Sequence, residues 1–288
     1  MIQYSLDKKS GKTILIDGDL IYETESKYQH IEVFKTKYFG KLLRLDGVIQ
    51  MTEFDESNYH EMIAHVPLSS HNCPEDVLVI GGGDGGAVRE ILKHKNVKKV
   101  HLVEIDKEVI NISKKFFPDV SYSLDDERVS IINVDGAEHA KFCNDLYDII
   151  IIDSTDPFSV GESLFKESFY LNLKNLLKYN GIVVSQCESM FYDMELIKNM
   201  HEFKKKYFDY VKYYYTMVPT YPSGNIGFQF CSNIDYSHNK VSNNMMRNSH
   251  KLDNLDDLKY YNTSIHFSSF VTPNFISNLW IQLIVMTI

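Results

Sequence analysis

Little in this chain of 288 residues points to a metal, a membrane or a nucleic acid. Its four cysteines, Cys73, Cys143, Cys187 and Cys231, are scattered, with no C-x-x-C pair and no histidine at ligand spacing, so no metal site is expected. A chain this long does not need disulfides to hold its core, and the four are expected to be buried or inert thiols in a reducing compartment. The opening MIQYSLDKKS lacks the apolar stretch of a signal peptide. The apolar run from Trp280 to Ile288 falls short of the roughly 20 residues that cross a bilayer. The expectation is a cytoplasmic protein with no membrane partner. Basic residues are in deficit as well: 30 Lys and Arg stand against 39 Asp and Glu, a formal charge of -9. That balance disfavours nucleic acid and suits cationic ligands. No internal repeat is visible. With 44% hydrophobic and 24% charged residues, what remains is an ordinary globular composition.

Two regions follow from the patterning. Up to about residue 55 the chain reads as a small N-terminal β domain, with short apolar runs at Ile31 to Phe34, Leu42 to Leu45 and Val48 to Met51, and an Asp46-Gly47 turn. A two-strand unit of this kind cannot stand alone, so it should pack on the next domain or on a second copy. Residues 56–288 read as the catalytic domain. It opens with a helix from Glu56 to Val66 that leaves at Pro67, and strands and helices then alternate. Strands are expected at Val77–Ile80, Val100–Val103, Val129–Val134, Ile149–Ile152 and Ile182–Val184. Helices are expected at Ala87–Lys93, at Glu108–Phe117 stopping at Pro118, and at Lys166–Lys178 closed by Asn180-Gly181. Strands apolar on both faces and separated by helices predict a parallel α/β sheet covered on both sides. Late Tyr-rich strands near Tyr213 and Phe228 are expected to close one edge antiparallel, and Asn233 to Asp257 reads as a polar loop.

The run Gly81-Gly82-Gly83-Asp84-Gly85-Gly86 follows a strand and opens a helix, as a nucleotide-binding turn does, and Glu104 ends the next strand where a carboxylate takes ribose hydroxyls. Asp84 would repel a pyrophosphate but attract an ammonium or sulfonium; alternatively it caps the helix. Asp135-Gly136, after the third strand, suits an adenine amino group or a second cap. The run Ile149 to Ile152 delivers Asp153 and Asp156 to a strand's carboxyl end, where ligands bind in open α/β sheets. One acid can accept an amine proton while the other anchors a charged group; Asp156 alone also fits an Asp-Pro turn.

An ordered set of motifs makes the reading specific. Ser26-Lys27-Tyr28-Gln29-His30-Ile31, Leu45-Asp46-Gly47-Val48-Ile49-Gln50, Tyr59-His60-Glu61-Met62-Ile63, Val79 to Gly86, Val103-Glu104-Ile105-Asp106, Asp153 to Pro157, Glu162 to Phe165, Pro219 to Gly224 and Leu258 to Asn262 run from about residue 20 to about 275. In that order they resemble the spermidine synthase family of aminopropyltransferases. The resemblance implies a Rossmann-like sheet of the adenosylmethionine-methyltransferase type. It also implies transfer of an aminopropyl group from decarboxylated S-adenosylmethionine, a co-substrate with no further cofactor, to putrescine in a homodimer or homotetramer. By the same resemblance Asp153 is the general base. Gln29, Gly81, Gly83, Asp84, Glu104, Asp135 and Gly136 surround the donor. Tyr59, His60, Asp156 and Tyr221 surround the acceptor, with His60 standing where some members carry Gln, and residues 154–165 form a gate. The chain departs from the family where Phe158 to Gly161 lacks a Gly-Pro step, where Lys9 stands near a usual Trp, and after Phe275.

Rival readings are putrescine N-methyltransferase, spermine or thermospermine synthase, a catalytically silent partner subunit, and a nicotinamide-dependent oxidoreductase. The last explains the glycines but neither Asp84 nor the two acids at one strand end.

Overall fold

The computed structural model describes residues 2–5, 13–154, 160–236 and 257–276. Lys9, Asp156, Trp280 and most of the 233–257 stretch lie outside them. The chain begins with a two-stranded antiparallel unit, β1 (Ile2–Ser5) and β2 (Thr13–Ile16). A four-stranded antiparallel sheet follows: β3 (Gly18–Glu25), β4 (His30–Thr36), β5 (Lys41–Leu45) and β6 (Val48–Thr52). Asp46 and Gly47 join β5 to β6 with φ of 47° and 80°, the positive pair that a tight hairpin turn asks for. The patterning missed β3, an edge strand exposed or half-buried along its whole length, whose apolar run is only the three residues Leu20 to Tyr22.

Helix α1 (Glu56–Ser70) continues through Pro67 instead of leaving there. Proline costs this helix one late hydrogen bond, and the burial of all its residues except Asn58 outweighs that loss. Then come β7 (Asp76–Gly81), α2 (Gly86–Leu92), β8 (Lys99–Val103) and α3 (Lys107–Phe116). Pro118 does more than stop α3. It opens the short α4 (Pro118–Ser121) from the first helical position, where its missing N–H costs nothing. Next are β9 (Val129–Ile132), α5 (Gly136–Phe142), β10 (Tyr147–Asp153), α6 (Glu167–Asn175) and β11 (Leu177–Gln186). Helix α6 thus ends earlier than expected, and Asn180-Gly181 lie inside β11. There the pairing with β10 jumps from Tyr147↔Leu177 to Ile149↔Ile182, a bulge at a strand glycine. The chain ends, among the described residues, with α7 (Met194–Lys204), β12 (Tyr210–Met217), β13 (Asn225–Ser232) and α8 (Thr263–Ser268).

The large sheet has the order β12-β13-β11-β10-β7-β8-β9, with only β13 running against its neighbours. This is the covered parallel sheet anticipated from the alternating pattern, of the Rossmann-like type that the resemblance implies. Its β10 shows why the strands carry unbroken apolar runs. Ile149 and Ile151 face the layer of α1 and α2, while Ile150 and Ile152 face α5, α6 and α7, and all four are at most 2% exposed. On the far side, Ile31, Val33, Leu43, Leu45 and Met51 of the N-terminal sheet pack on Val109, Ile112, Phe117 and Val120 in and around α3 and α4. The chain proceeds outward from β7 to β9 and then returns to β10 on the other flank of β7. The order therefore reverses between β7 and β10, which opens a crevice at their carboxyl ends.

All four cysteines are free. Cys187 and Cys231 are buried, and burial pushes their thiols up to about 12 and about 11. Cys143 is half-buried and Cys73 is exposed. No helix among the described residues is long and apolar enough to cross a membrane.

Candidate active site

Asp153 pairs with Gly81 across the β10–β7 register, so the acid and the glycine turn meet at the switch point. Gly81 has a φ of 80°, and a Cβ there would collide with the Asp153 carbonyl oxygen. Only glycine lets β7 turn this close to β10. Above the turn lies a cleft enclosing about 1000 Å³, open solvent at its mouth included. Every residue singled out from the sequence lines it, apart from Asp156, which lies outside the described residues.

The Tyr59 hydroxyl, projecting from α1, lies 2.7 Å from Asp153 Oδ1 and 2.8 Å from Gln186 Oε1. One proton cannot serve both acceptors. It goes to the carboxylate, and Gln186 donates back through its NH₂ when its amide is turned over. Asp153 Oδ2 is buried and has no hydrogen-bond partner among the described residues. Burial, with help from the nearby Asp84 charge, pushes the Asp153 carboxyl up to about 6, against the opposing pull of His60 and the Tyr59 hydrogen bond.

His60 sits one helical turn after Glu56. Its Nδ1 lies 2.7 Å from Glu56 Oε2 and its Nε2 lies 3.3 Å from Asp84 Oδ1. Burial alone would discharge the ring, but the carboxylates on either side outweigh it and hold its pKa well above the ordinary histidine range. One expectation changes here. His60 is held as an imidazolium with both ring nitrogens engaged by carboxylates, so neither is left for an acceptor amine. Asp84 Oδ1 also accepts the Gly86 N–H at 2.7 Å, which leaves Oδ2 for a ligand.

Glu104 closes the other side of the turn. Its two oxygens accept the N–H groups of Gly83, at 3.1 Å, and Asp106, at 2.8 Å. Burial nevertheless pushes its carboxyl up to about 7. Asp106 caps α3, and its Oδ2 accepts Gln29 Nε2 at 3.0 Å, which ties the N-terminal sheet to the rim of the cleft. Asp135 is the N-cap of α5, accepting the N–H groups of Ala137 and Glu138 through Oδ1 alone. Tyr221 donates to the Gln50 carbonyl at 2.6 Å, and its loop is anchored by Asp55, which takes the N–H and hydroxyl of Thr220.

Four carboxylates, Asp84, Glu104, Asp135 and Asp153, thus gather around the glycine turn in one cleft. Comparison with known proteins gives the family. Residues 56–243 match the spermine/spermidine synthase domain, and residues 3–53 match the spermidine synthase tetramerisation domain. The chain belongs to the spermine/spermidine synthase family. It is 46% identical over 257 residues to the polyamine aminopropyltransferase of Leptospira biflexa, which covers 88% of each chain. It is 42% identical over 272 residues to that of Bacillus subtilis, covering 94% of this chain and 95% of the other. A solved spermidine synthase bound to the transition-state analogue AdoDATO superposes with a TM-score of 0.90 at 36% identity, over 96% of this chain and 94% of that one. The Thermotoga maritima spermidine synthase gives 0.87 at 35%, over 96% and 93%. As a member of this family the protein is a transferase of the polyamine aminopropyltransferase type.

Two residues that line the cleft, Gln186 and Glu56, escaped the sequence reading, as did the structural role of Glu61. Gln186 ends β11 and reaches Tyr59, and the strand-end rule that selected Asp153 could have selected it. Glu56 lies at i−4 from His60, a spacing that was legible. Glu61 accepts the N–H groups of Lys259, Tyr260 and Tyr261 at 2.8, 2.9 and 2.7 Å, fixing a distant segment against α1. No local signal announces that contact.

Proposed function

We propose that the protein is a spermidine synthase, transferring the aminopropyl group of decarboxylated S-adenosylmethionine to putrescine to give spermidine and 5′-methylthioadenosine. Asp153 carries this reading: Oδ1 is held by Tyr59, while Oδ2 is buried, unpartnered among the described residues and set at a strand end beside the glycine turn. A diamine nitrogen has an ordinary pKa of about 10 and reaches the site protonated. Asp153, held at about 6, is ionised at neutral pH yet more basic than an exposed aspartate. Oδ2 takes one proton from the ammonium and frees the lone pair. Nitrogen then bonds to the methylene carried by sulfur, and the C–S bond breaks with its electrons on sulfur. The sulfonium becomes a neutral thioether, so the leaving group needs no proton and no metal. Alignment of nitrogen, carbon and sulfur supplies the rest, on the order of 7–11 kcal/mol.

In this reading Asp84 Oδ2 meets the donor's ammonium, Glu104 takes the ribose hydroxyls, and Gln29, Gly81, Gly83, Asp135 and Gly136 enclose the nucleoside. Tyr59, Tyr221 and Asp156 hold the acceptor, with Asp156 toward its far amine. The match of residues 3–53 to a tetramerisation domain supports a homo-oligomer built through the N-terminal β domain. The test is product analysis by mass spectrometry after incubation with putrescine and either decarboxylated or intact S-adenosylmethionine. Spermidine and methylthioadenosine from the first mixture are expected. N-methylputrescine from the second, or no spermidine from the first, would overturn the assignment.

A further inference from the structure

Beneath the glycine turn, a line of buried charges runs from the cleft into the protein. Asp84 Oδ1 meets His60 Nε2 at 3.3 Å, and His60 Nδ1 meets Glu56 Oε2 at 2.7 Å. The same Glu56 oxygen meets Arg89 Nη2 at 2.8 Å, and Arg89 Nε meets Glu90 Oε1 at 2.8 Å. Glu56 is 4% exposed and His60 2%, so no solvent screens the contacts between them. Burial favours a neutral carboxyl at Glu56, but the hydrogen bonds and charges of His60 and Arg89 outweigh it and hold the group at about 2. Glu56 is therefore charged at every working pH.

The imidazolium depends on this arrangement. A buried histidine with one carboxylate neighbour is a far weaker base than one held between two. Were Glu56 neutral, His60 would lose its proton more readily, and Nε2 would cease to be an obligatory donor to Asp84. Two consequences reach the cleft. Asp84 Oδ1 would lose its charged partner and keep only the Gly86 N–H, so the orientation that leaves Oδ2 free would be held less firmly. Asp153 would lose the cation that offsets the repulsion of Asp84.

We propose that Glu56 is a positioning residue of the donor site: acting through His60, it fixes the orientation of Asp84 and the charge that Asp153 experiences. The proposal rests on the reading of the cleft as an aminopropyltransferase site and adds to it a role that Glu56 exerts through His60.

Two measurements on Glu56→Gln test it. Calorimetric titration with decarboxylated S-adenosylmethionine should show donor affinity weakened by about tenfold, within the range of coupling inside one hydrogen-bonded network. The acid limb of the kcat/KM profile should rise by on the order of half a pH unit, because Asp153 loses a neighbouring cation. Acting through His60 has a further signature. In a His60→Gln background no imidazolium remains to be stabilised, and Glu56→Gln should then change donor affinity by less than about twofold. Should Glu56→Gln not fold, Glu56→Asp keeps the charge for Arg89 but draws the oxygen back from His60, and should weaken the donor in the same direction. Equal weakening in both backgrounds overturns the proposal, as does an unchanged donor affinity with an unmoved acid limb. Failure of wild-type protein to bind decarboxylated S-adenosylmethionine at all would instead refute the proposed function.

Discussion

Asp153→Asn should make the protein more stable while disabling it. The carboxyl stands at about 6 against an ordinary 3.8, first because it is buried and then because Asp84 is near. At pH 8 it is charged in the folded and the unfolded chain alike, and the fold bears the whole cost of that charge. As pH falls through about 6 the folded protein takes up a proton that the unfolded chain does not accept until about 3.8. The cost shrinks over that window and is gone below it. A difference of about 2 pH units at 1.36 kcal/mol each is about 3 kcal/mol, an upper figure because Asp84 and Asp153 titrate together. Asparagine keeps an oxygen for the Tyr59 hydroxyl and carries no charge, so the variant escapes the cost. At pH 8 its melting temperature should exceed that of wild type by several degrees, on a scale of roughly 2–4 °C per kcal/mol for a chain of this size. The gap should close between pH 6 and pH 4. Turnover should fall by roughly 10²–10⁴, the share of a positioned base. Melting by circular dichroism across that pH range, beside steady-state kinetics, checks both halves. A variant that melts below wild type at pH 8, or keeps its advantage at pH 4, would refute the electrostatic account. Near-native turnover in a folded variant would remove Asp153 from the chemistry.

Tyr59→Phe deletes a hydrogen bond to Asp153 Oδ1 that lowers the pKa of the acid. The acid limb of kcat/KM should therefore move up from about 6, by about 1 unit if a hydrogen bond to a charged group contributes about 1.5 kcal/mol; a downward move would contradict the arrangement. Glu104, raised to about 7 by burial, must be ionised to take two ribose hydroxyls, so donor affinity should weaken up to about tenfold per pH unit below 7. Titrations at pH 6 and pH 8 should show that slope in wild type and lose it in Glu104→Gln, and a flat wild-type response would remove Glu104 from the ribose. Gly86→Ala places a Cβ against the His60 imidazole, which has nowhere to move between its two carboxylates. Overpacking of this kind costs about 1–3 kcal/mol, so a thermal melt equal to wild type would mean that His60 is not where it is described.

Much of the fold was legible because the sheet announces itself locally. Four consecutive isoleucines in β10 can only be covered on both faces, and Asp46-Gly47 specifies its own turn. The errors share one cause, reading a residue's preference without its tertiary surroundings. Pro67 reads as a helix end, but α1 is buried nearly all round and holds one further turn. Asn180-Gly181 reads as a helix stop, but Tyr147 recruits Leu177 into the ladder first, and the glycine then absorbs the resulting bulge. Strand β3, half-exposed at a sheet edge, offers only Leu20 to Tyr22 and a weak alternation after it, because an edge strand with little buried surface needs few apolar residues.

Site residues divide along the same line. Glu104 and Asp153 could be found because a strand's carboxyl end is a position in the sequence as well as in space. Glu61 could not, because its partners lie about 200 residues onward and are backbone N–H groups, which any residue supplies. Asp84 and Asp135 each presented a choice between capping a helix and meeting a ligand. Asp135 is the N-cap of α5, whereas Gly85 holds that place in α2 and Asp84, one residue earlier, accepts the N–H of Gly86. Asp135 Oδ1 satisfies two N–H groups of α5 by itself, and Asp84 Oδ1 takes both Gly86 and His60. A carboxylate has two oxygens with about four acceptor positions. When one oxygen meets the local structural demand, the other remains for the cleft at no cost to the fold. The capping preference and the ligand preference then select the same residue type, so a sequence pattern at such a position could not have told them apart.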